Sequence, residues 1–250
     1  MAFQLWISES GYRMKIMKWE FVLFLLLGLT ACNKEIVREN KPITESNAIS
    51  QVAKSDIDNV LDVHIEESQK LLRELMIKLY KRNPRELKKS ELKLIEEQLV
   101  RLFDLEHTWD FPELQGKYDV ELIKLTFKEE YQGDRVFAFV AGLMSMIMKS
   151  YNYQSEFYMF DTVEPQKLYN CARNIEIAVW KLSHNLDPNG EPFLYSNSLP
   201  NEEIVNLSYE RLFGKLIATQ DNITTIMAGK KNRTVKTVIQ KMASAVFLPI

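Results

Sequence analysis

The sequence holds few of the residues that mark cross-linked or turn-rich proteins. Cys32 and Cys171 are its only cysteines among 250 residues, which excludes a small scaffold held by several disulfides. Glycine and proline occur only 8 times each, and this scarcity favours helices over the many tight turns of an all-β protein. Because 46% of the residues are hydrophobic and 26% are charged, the composition is that of a globular protein that folds around a core.

The sequence also lacks an excess of charge and the common motifs of enzymes. Its 32 basic and 34 acidic residues give a formal net charge of -2, which offers no reason to expect a nucleic acid as partner. It contains no Gly-Lys-Ser/Thr phosphate loop, dinucleotide glycine fingerprint, G-x-S-x-G elbow or H-E-x-x-H zinc motif. Its three histidines, His64, His107 and His184, fall on separate predicted elements. These features favour a protein without catalysis, cofactor or metal.

A basic and then apolar segment near the N-terminus is typical of an export signal. Lys15 and Lys18 precede an apolar run of about eleven residues, 21–31. This run is shorter than the ~20 residues that a helix needs to span a bilayer, but it fits the core of a signal peptide. Met14, directly before a lysine, is a more natural start for such a signal than the first methionine. We therefore predict that Met14 is the working start codon and that residues 1–31 are removed.

The end of this segment, Leu29-Thr30-Ala31-Cys32, resembles the lipobox of bacterial lipoproteins. In that family, small residues precede a cysteine that is diacylated and becomes the new N-terminus after cleavage. The resemblance covers residues 14–32 and implies that Cys32 carries the lipid, and two or three acyl chains anchor a protein stably. Asn33 follows where the family's inner-membrane proteins tend to have aspartate. The resemblance thus implies the outer membrane, facing the periplasm, or the outer face of the cytoplasmic membrane in a single-membrane bacterium.

The mature chain divides into a linker and a domain. Residues 32–55 are polar and aperiodic, as expected of a flexible spacer, and a random coil of this length has a root-mean-square span of about 25 Å. Residues 56–250 show helical periodicity and no long alternation of polar and apolar residues. We therefore predict an all-α fold, a single domain of five to seven helices behind a lipid-anchored linker. With Cys32 acylated, Cys171 is left as the one thiol and no intramolecular disulfide can form.

Apolar residues at steps of three and four predict the helices of the first half of the domain. We expect helices over residues 56–82, 90–103, 120–127 and 136–148. Ser55 is the expected N-cap of the first helix, and Pro84 ends it because the residue before a proline avoids helical backbone. The first two helices would form a hairpin. The run 136–148, apolar on every side, belongs in the centre of the domain.

The second half has the same period. We expect a helix from Pro165 with a coiled-coil-like seam through Leu186, one over residues 204–227 with Gly229 at its C′ position, and one over residues 235–247. The segment Asp187-Pro188-Asn189-Gly190 predicts a turn, because Pro, Asn and Gly suit its backbone geometry.

Two features are candidates for binding. After Asp221 no acidic residue occurs, whereas five basic ones follow: Lys230, Lys231, Arg233, Lys236 and Lys241. They could contact an anionic lipid surface, although a solvated helix is the simpler explanation. The second feature is the loop 192–200, in which Phe193, Leu194 and Tyr195 either plug the core or contact a partner.

Other reactive or adaptable residues have simpler interpretations. Cys171 lies on the predicted seam, which favours a small buried hydrophobe over a nucleophile. The adjacent glutamates at 66–67, 96–97, 129–130 and 202–203 favour solvated helix faces over catalytic acids. Met144, Met146 and Met148 favour core packing over the lining of a lipid pocket.

These expectations combine into one preferred hypothesis and two others. The preferred one is a non-catalytic, membrane-anchored envelope lipoprotein that binds another envelope protein or supports an assembly at the membrane surface. The alternative is a carrier of lipid or a small apolar ligand in the periplasm, with residues 136–148 and the seam of the next helix as pocket walls. A third is an enzyme with an unrecognised site that acts on cell-wall or lipid substrates.

Overall fold

The fold is all-α, as the sequence predicts. The structure, a computed structural model, describes residues 54–158, 160–197, 207–231 and 246–250. Within these ranges seven α-helices form one helical domain, without strands beyond a single bridge between Leu186 and Pro192. The predicted export signal, Cys32 and the predicted linker up to residue 53 lie outside the described residues. No helix in the described ranges combines the length and apolar character needed to cross a membrane.

The first helix, α1 (Asp56–Arg82), begins and ends as predicted. Ser55 caps it through a full capping box: its hydroxyl accepts from the backbone N–H of Asp58, whose carboxylate accepts from the N–H of Ser55. Asn83 ends the helix just before Pro84. The helix buries one apolar face, at Leu61, Ile65, Leu71, Leu72, Leu75, Met76 and Leu79.

The predicted helix over residues 90–103 is wrong at its start. A single turn, α2 (Pro84–Leu87), follows α1, and α3 (Ile95–Leu99) begins five residues later than expected and continues as a π-helix, Val100–Asp104. Ser90 does not cap a helix, because its hydroxyl accepts a hydrogen bond from the amide of Gln98. The carboxylate of Glu97 instead accepts from the N–H of Leu94 and fixes the first turn of α3.

Two antiparallel helices form the centre. After a 3-10 turn at Pro112–Leu114, α4 (Asp119–Thr126) packs along α5 (Arg135–Ser150), and both lie close to their predicted positions. Almost every residue of α5 is buried, including Met144, Met146 and Met148, which pack in the hydrophobic core. Gly142 allows the close approach of α4, because a Cβ there would lie 2.8 Å from Cγ1 of Ile123.

The last two helices depart from the prediction at their ends. α6 (Pro165–His184) stops before Leu186, which is exposed and lies outside the seam because the turn at Asp187 reverses the chain. α7 (Ser208–Lys231) starts after Leu207, four residues later than predicted, and passes through Gly229, which therefore is not a C′ residue. The helix predicted over 235–247 lies largely outside the described residues, and its end is wrong, because Val246 and Phe247 are not helical.

The long helices α1, α5, α6 and α7 alternate in direction and so define two poles. At the N-terminal pole, α1 and α6 start and α5 and α7 end; Lys230 on α7 lies 4.0 Å from Asp58 on α1. At the opposite pole, which we call the cleft pole because a cleft opens there, α1 and α6 end and α5 and α7 start. The hydroxyl of Tyr209 on α7 donates to the carbonyl of Lys78 on α1 over 2.9 Å. This is the up-and-down arrangement of a helix bundle.

The C-terminal residues pack back onto α6. The side-chain amide of Asn174 donates to the carbonyl of Leu248 over 2.8 Å and accepts from its N–H over 2.6 Å. Asn170 donates to the carbonyl of Pro249 over 2.7 Å. The ring centre of Phe247 lies 6.0 Å from the ammonium group of Lys124 on α4 and 5.9 Å from that of Lys181 on α6.

Candidate functional site

A cleft of about 470 Å³ opens at the cleft pole, between α2 and the turn that follows α6. The cleft is lined by three basic side chains, three acidic ones and three uncharged ones: Arg85, Lys89, Arg135, Glu86, Glu129, Asp187, Asn189, Pro188 and Phe193. The opposite charges balance, so the cleft has no net excess of either sign.

Glu86 holds α2 against the start of α5. Its side chain is 1% exposed, and both carboxylate oxygens accept from the ammonium of Lys89, at 2.9 and 2.8 Å. The same carboxylate accepts from the backbone N–H of Arg135 over 3.0 Å, and the guanidinium of Arg85 lies 3.3 Å away. A buried carboxylate is stable only with such compensation.

Arg135 is buried and its guanidinium is occupied by the protein itself. It donates to the backbone carbonyls of Thr126, the last residue of α4, and of Lys128 and Tyr131 in the connection that follows. Its other face lies 4.6 Å from the ring centre of Phe193. Arg135 therefore closes the connection between α4 and α5, and burial lowers its pKa.

Asp134 caps α5 and is tied to α1. One carboxylate oxygen accepts from the N–H groups of Val136 and Phe137, at 2.9 and 3.0 Å, and the other accepts from the hydroxyl of Tyr80 over 2.7 Å. Burial outweighs these hydrogen bonds and raises the pKa of Asp134 to about 6, and burial also raises the pKa of Tyr80. The carboxyl does not line the cleft.

The loop after α6 plugs the core at this pole, which settles one of the two alternatives for its described part. Phe193 and Leu194 are buried. Asn83 makes two hydrogen bonds with the backbone of Tyr195: its side-chain amide donates to the carbonyl over 2.9 Å and accepts from the N–H over 2.7 Å. Arg85 donates to the carbonyl of Phe193 over 2.9 Å. The cations of the cleft are therefore engaged in holding the fold together.

Glu129 lines the cleft, and the other candidate residues that the structure describes lie away from it. The described residues contain no group of three or more side chains that could hold a metal ion. His64 bonds the carbonyl of Val60 and His184 stacks on Trp180, each on its own helix. Cys171 is buried, and burial raises the pKa of its thiol to about 12, which agrees with a packing role. The glutamates at 66–67, 96–97 and 129–130 are exposed or half-buried on the surface.

The predicted basic segment is described only at its start. Lys230 lies at the N-terminal pole, and Lys231 is the last residue of α7. Arg233, Lys236 and Lys241 lie outside the described residues, as does the lipidation candidate Cys32. Of the predicted binding residues that the structure describes, Phe193 lines the cleft, whereas Lys230 lies at the other pole.

Sequence reasoning missed Glu86, Asp134 and Arg135. Asp134 had a local signal, since an aspartate directly before an apolar helical run is a typical N-cap. Glu86 had none, because its burial comes from the packing of one helical turn against another helix. Comparisons of the chain with known protein families, curated proteins and solved structures found no match.

Proposed function

We propose that the chain is a bacterial envelope lipoprotein, anchored through acylated Cys32, whose helical domain binds another envelope protein. The observation that carries the proposal is the N-terminal pattern: Lys15 and Lys18, the apolar residues 21–31, and small residues directly before Cys32. Each part has a physical role in export and acylation, and the combination is more specific than any part alone.

The position of the domain supports this proposal. The capping box at Ser55 fixes the start of α1 about 24 residues after Cys32, which leaves a polar spacer between a lipid and the domain. A diacylated cysteine at the end of that spacer would hold the domain close to the bilayer without a spanning helix.

The position of Lys230 supports the basic segment as a lipid contact. Lys230 lies beside Asp58, close to the start of α1, so α7 ends with Lys231 at the pole that would face the membrane. Arg233, Lys236 and Lys241 follow in the sequence. Each basic residue near an anionic bilayer contributes about 1 kcal/mol to binding.

The anchor is tested by intact mass and fractionation of the chain expressed in a bacterium. We expect the wild type to start at Cys32, to carry the mass of its acyl chains and to enter the membrane fraction. Cys32→Ala should remain unacylated and leave that fraction, whereas the control Cys171→Ala should behave as wild type. If wild type and Cys32→Ala are both soluble and uncleaved, the proposal is wrong.

Partner binding is tested separately by a pulldown from detergent-solubilised envelopes, with the acylated chain as bait. We expect one envelope protein to be enriched over the background obtained with an unrelated lipoprotein. Recovery of background alone would contradict the binding role while leaving the anchor intact.

A further inference from the structure

An aromatic turn at the N-terminal pole has no role in the cleft or the core. We define it by Tyr158, Phe160 and Asp161, in the connection between α5 and α6. The N–H of Asp161 donates to the carbonyl of Tyr158 over 2.8 Å, and the N–H of Tyr158 donates to the carboxylate of Asp161 over 2.9 Å. Phe160 lies within this turn and is 91% exposed, more than any other large apolar side chain described.

The turn is fixed to the start of the domain. The N–H of Phe157 donates to the carboxylate of Asp62 on α1 over 2.9 Å, and Phe157 itself is buried against Tyr151. Lys54, the first described residue, pairs with Asp62, and its ammonium lies 5.1 Å from the ring centre of Tyr158. The exposed phenylalanine therefore lies where the chain from Cys32 enters the domain.

We propose that the aromatic turn inserts into the bilayer to which Cys32 is anchored. This inference rests on the proposed lipid anchor. Full burial of a phenylalanine side chain is worth about 1.5–3 kcal/mol, too little to bind a free protein to a membrane. A spacer of about 22 residues changes this balance, because it raises the effective concentration of the turn at the bilayer to the order of millimolar.

The surroundings of Phe160 favour a lipid interface over a protein pocket as its partner. Phe160 is almost fully exposed, so no groove of the protein receives its ring, and Val63, next to Asp62 on α1, is a second exposed apolar residue. The hydroxyl of Tyr158 is bonded to Glu156 over 2.8 Å, so its ring can lie at the headgroup level with the polar end satisfied. Tyrosine is enriched at this depth in membrane proteins.

The inference is tested with the acylated chain in vesicles of phosphatidylcholine brominated on its acyl chain, which quenches nearby tryptophan fluorescence. Phe160→Trp places a tryptophan probe in the aromatic turn. Leu186→Trp is the matched control, because Leu186 is also exposed (53%) but lies beyond the far end of α6, about 30 Å along the helix. We expect several-fold more quenching of the added tryptophan in Phe160→Trp than in Leu186→Trp, at low and high salt.

Equal quenching in the two variants, or none in either, would overturn the inference. So would loss of the difference at high salt, because screening weakens the basic segment but not apolar insertion. Intact mass of the same samples separates the two proposals. An acylated chain without quenching at position 160 leaves the anchor standing and overturns the insertion, whereas an unacylated chain overturns both.

A measurement that leaves the aromatic turn unaltered checks the same point. Amide hydrogen exchange at residues 158–161 should be slower in the acylated chain on vesicles than in the Cys32→Ala chain in buffer. Exchange at the turn after Asp187 should be unchanged. Equal exchange rates at residues 158–161 in the two samples would contradict insertion.

Discussion

Three of the buried charged residues, Glu86, Asp134 and Arg135, lie where α2, α5 and the connection from α4 meet. Each group is compensated by a different device: ion pairs for the glutamate, an N-cap for the aspartate and backbone carbonyls for the arginine. Together they join elements that are far apart in the sequence. Their role at this scale is to fix the fold.

Glu86 offers a matched comparison with a surface ion pair. Glu86 with Lys89 and Glu121 with Lys124 have the same i,i+3 spacing and the same 2.8 Å distance, but the glutamate side chains are 1% and 62% exposed. We expect Glu86→Ala to lower the free energy of unfolding by about 2 kcal/mol, because the N–H of Arg135 and the ammonium of Lys89 lose a charged acceptor. Urea titration measures this change in the free energy of unfolding.

The control Glu121→Ala should change the free energy of unfolding by less than about 0.5 kcal/mol, as solvent and salt screen an exposed pair. Similar losses in the two variants would mean that Glu86 is more solvated than the structure indicates.

Asp134 should make stability depend on pH in an unusual direction. Burial raises the pKa of Asp134 from 3.8 to about 6, so the folded state holds this proton more tightly than the unfolded state. Stability therefore falls as the pH rises through this window. Measured against Asp134→Asn, which does not titrate, we expect the wild type to lose on the order of 1–2 kcal/mol between these pH values. A difference that is flat with pH would exclude the raised pKa.

At the scale of elements, the contact of α4 with α5 depends on one absent side chain. A methyl group at Gly142 would lie 2.8 Å from Cγ1 and 3.0 Å from the backbone N of Ile123, and 3.2 Å from the carbonyl of Asp119. Backbone atoms cannot yield as a flexible side chain does, so the two helices would have to separate.

We therefore expect Gly142→Ala to lower the free energy of unfolding by about 1–3 kcal/mol, although alanine is the better helix former. Gly214→Ala is the control. Gly214 is also helical, but a Cβ there meets no atom within 4 Å, so the substitution should stabilise by about 0.5–1 kcal/mol. Thermal melting of both variants measures the contrast, and stabilisation by both would show that α4 and α5 are not closely packed.

The helices were predictable where a local signal agreed with the packing. Ser55 and Pro84 mark α1 correctly, and Pro165 marks the start of α6, because caps and prolines act within one turn. The prediction failed at Ser90, whose hydroxyl bonds a distant glutamine side chain, and at Gly229, where the helix continues. Those outcomes depend on side-chain partners that periodicity does not encode. The cleft was unpredictable for the same reason.

At the scale of the whole molecule, the two poles have different characters. The cleft pole is closed by hydrogen bonds and ion pairs among its own groups, as at Asn83 and Glu86. The N-terminal pole carries the start of the domain, Phe160 and Lys230. This polarity fits the proposed lipid anchor, because only one end of an anchored domain can face the bilayer.

Cys171 should report unfolding of the whole domain. It is buried on α6, so a reagent cannot reach the thiol in the native state. Burial also raises the pKa of the thiol to about 12, so the reactive thiolate does not form there at neutral pH. In the Cys32→Ala chain, where it is the only cysteine, we expect a thiol reagent to react negligibly in buffer and fully in denaturant. The denaturant concentration at which half of the thiol reacts should coincide with the midpoint for the loss of helical circular dichroism. Rapid reaction in native buffer would contradict the burial.

The contact of the C-terminus with α6 limits how the protein can be handled. Asn170 and Asn174 hold the backbone of Leu248 and Pro249, and Ile250 packs against the hydrophobic core. A purification tag or reporter fused directly to Ile250 would start from a packed residue and strain these bonds, while a fusion ahead of Cys32 would be lost with the proposed signal. An affinity handle is better inserted within the exposed residues 188–190, on the pole away from the proposed bilayer contact.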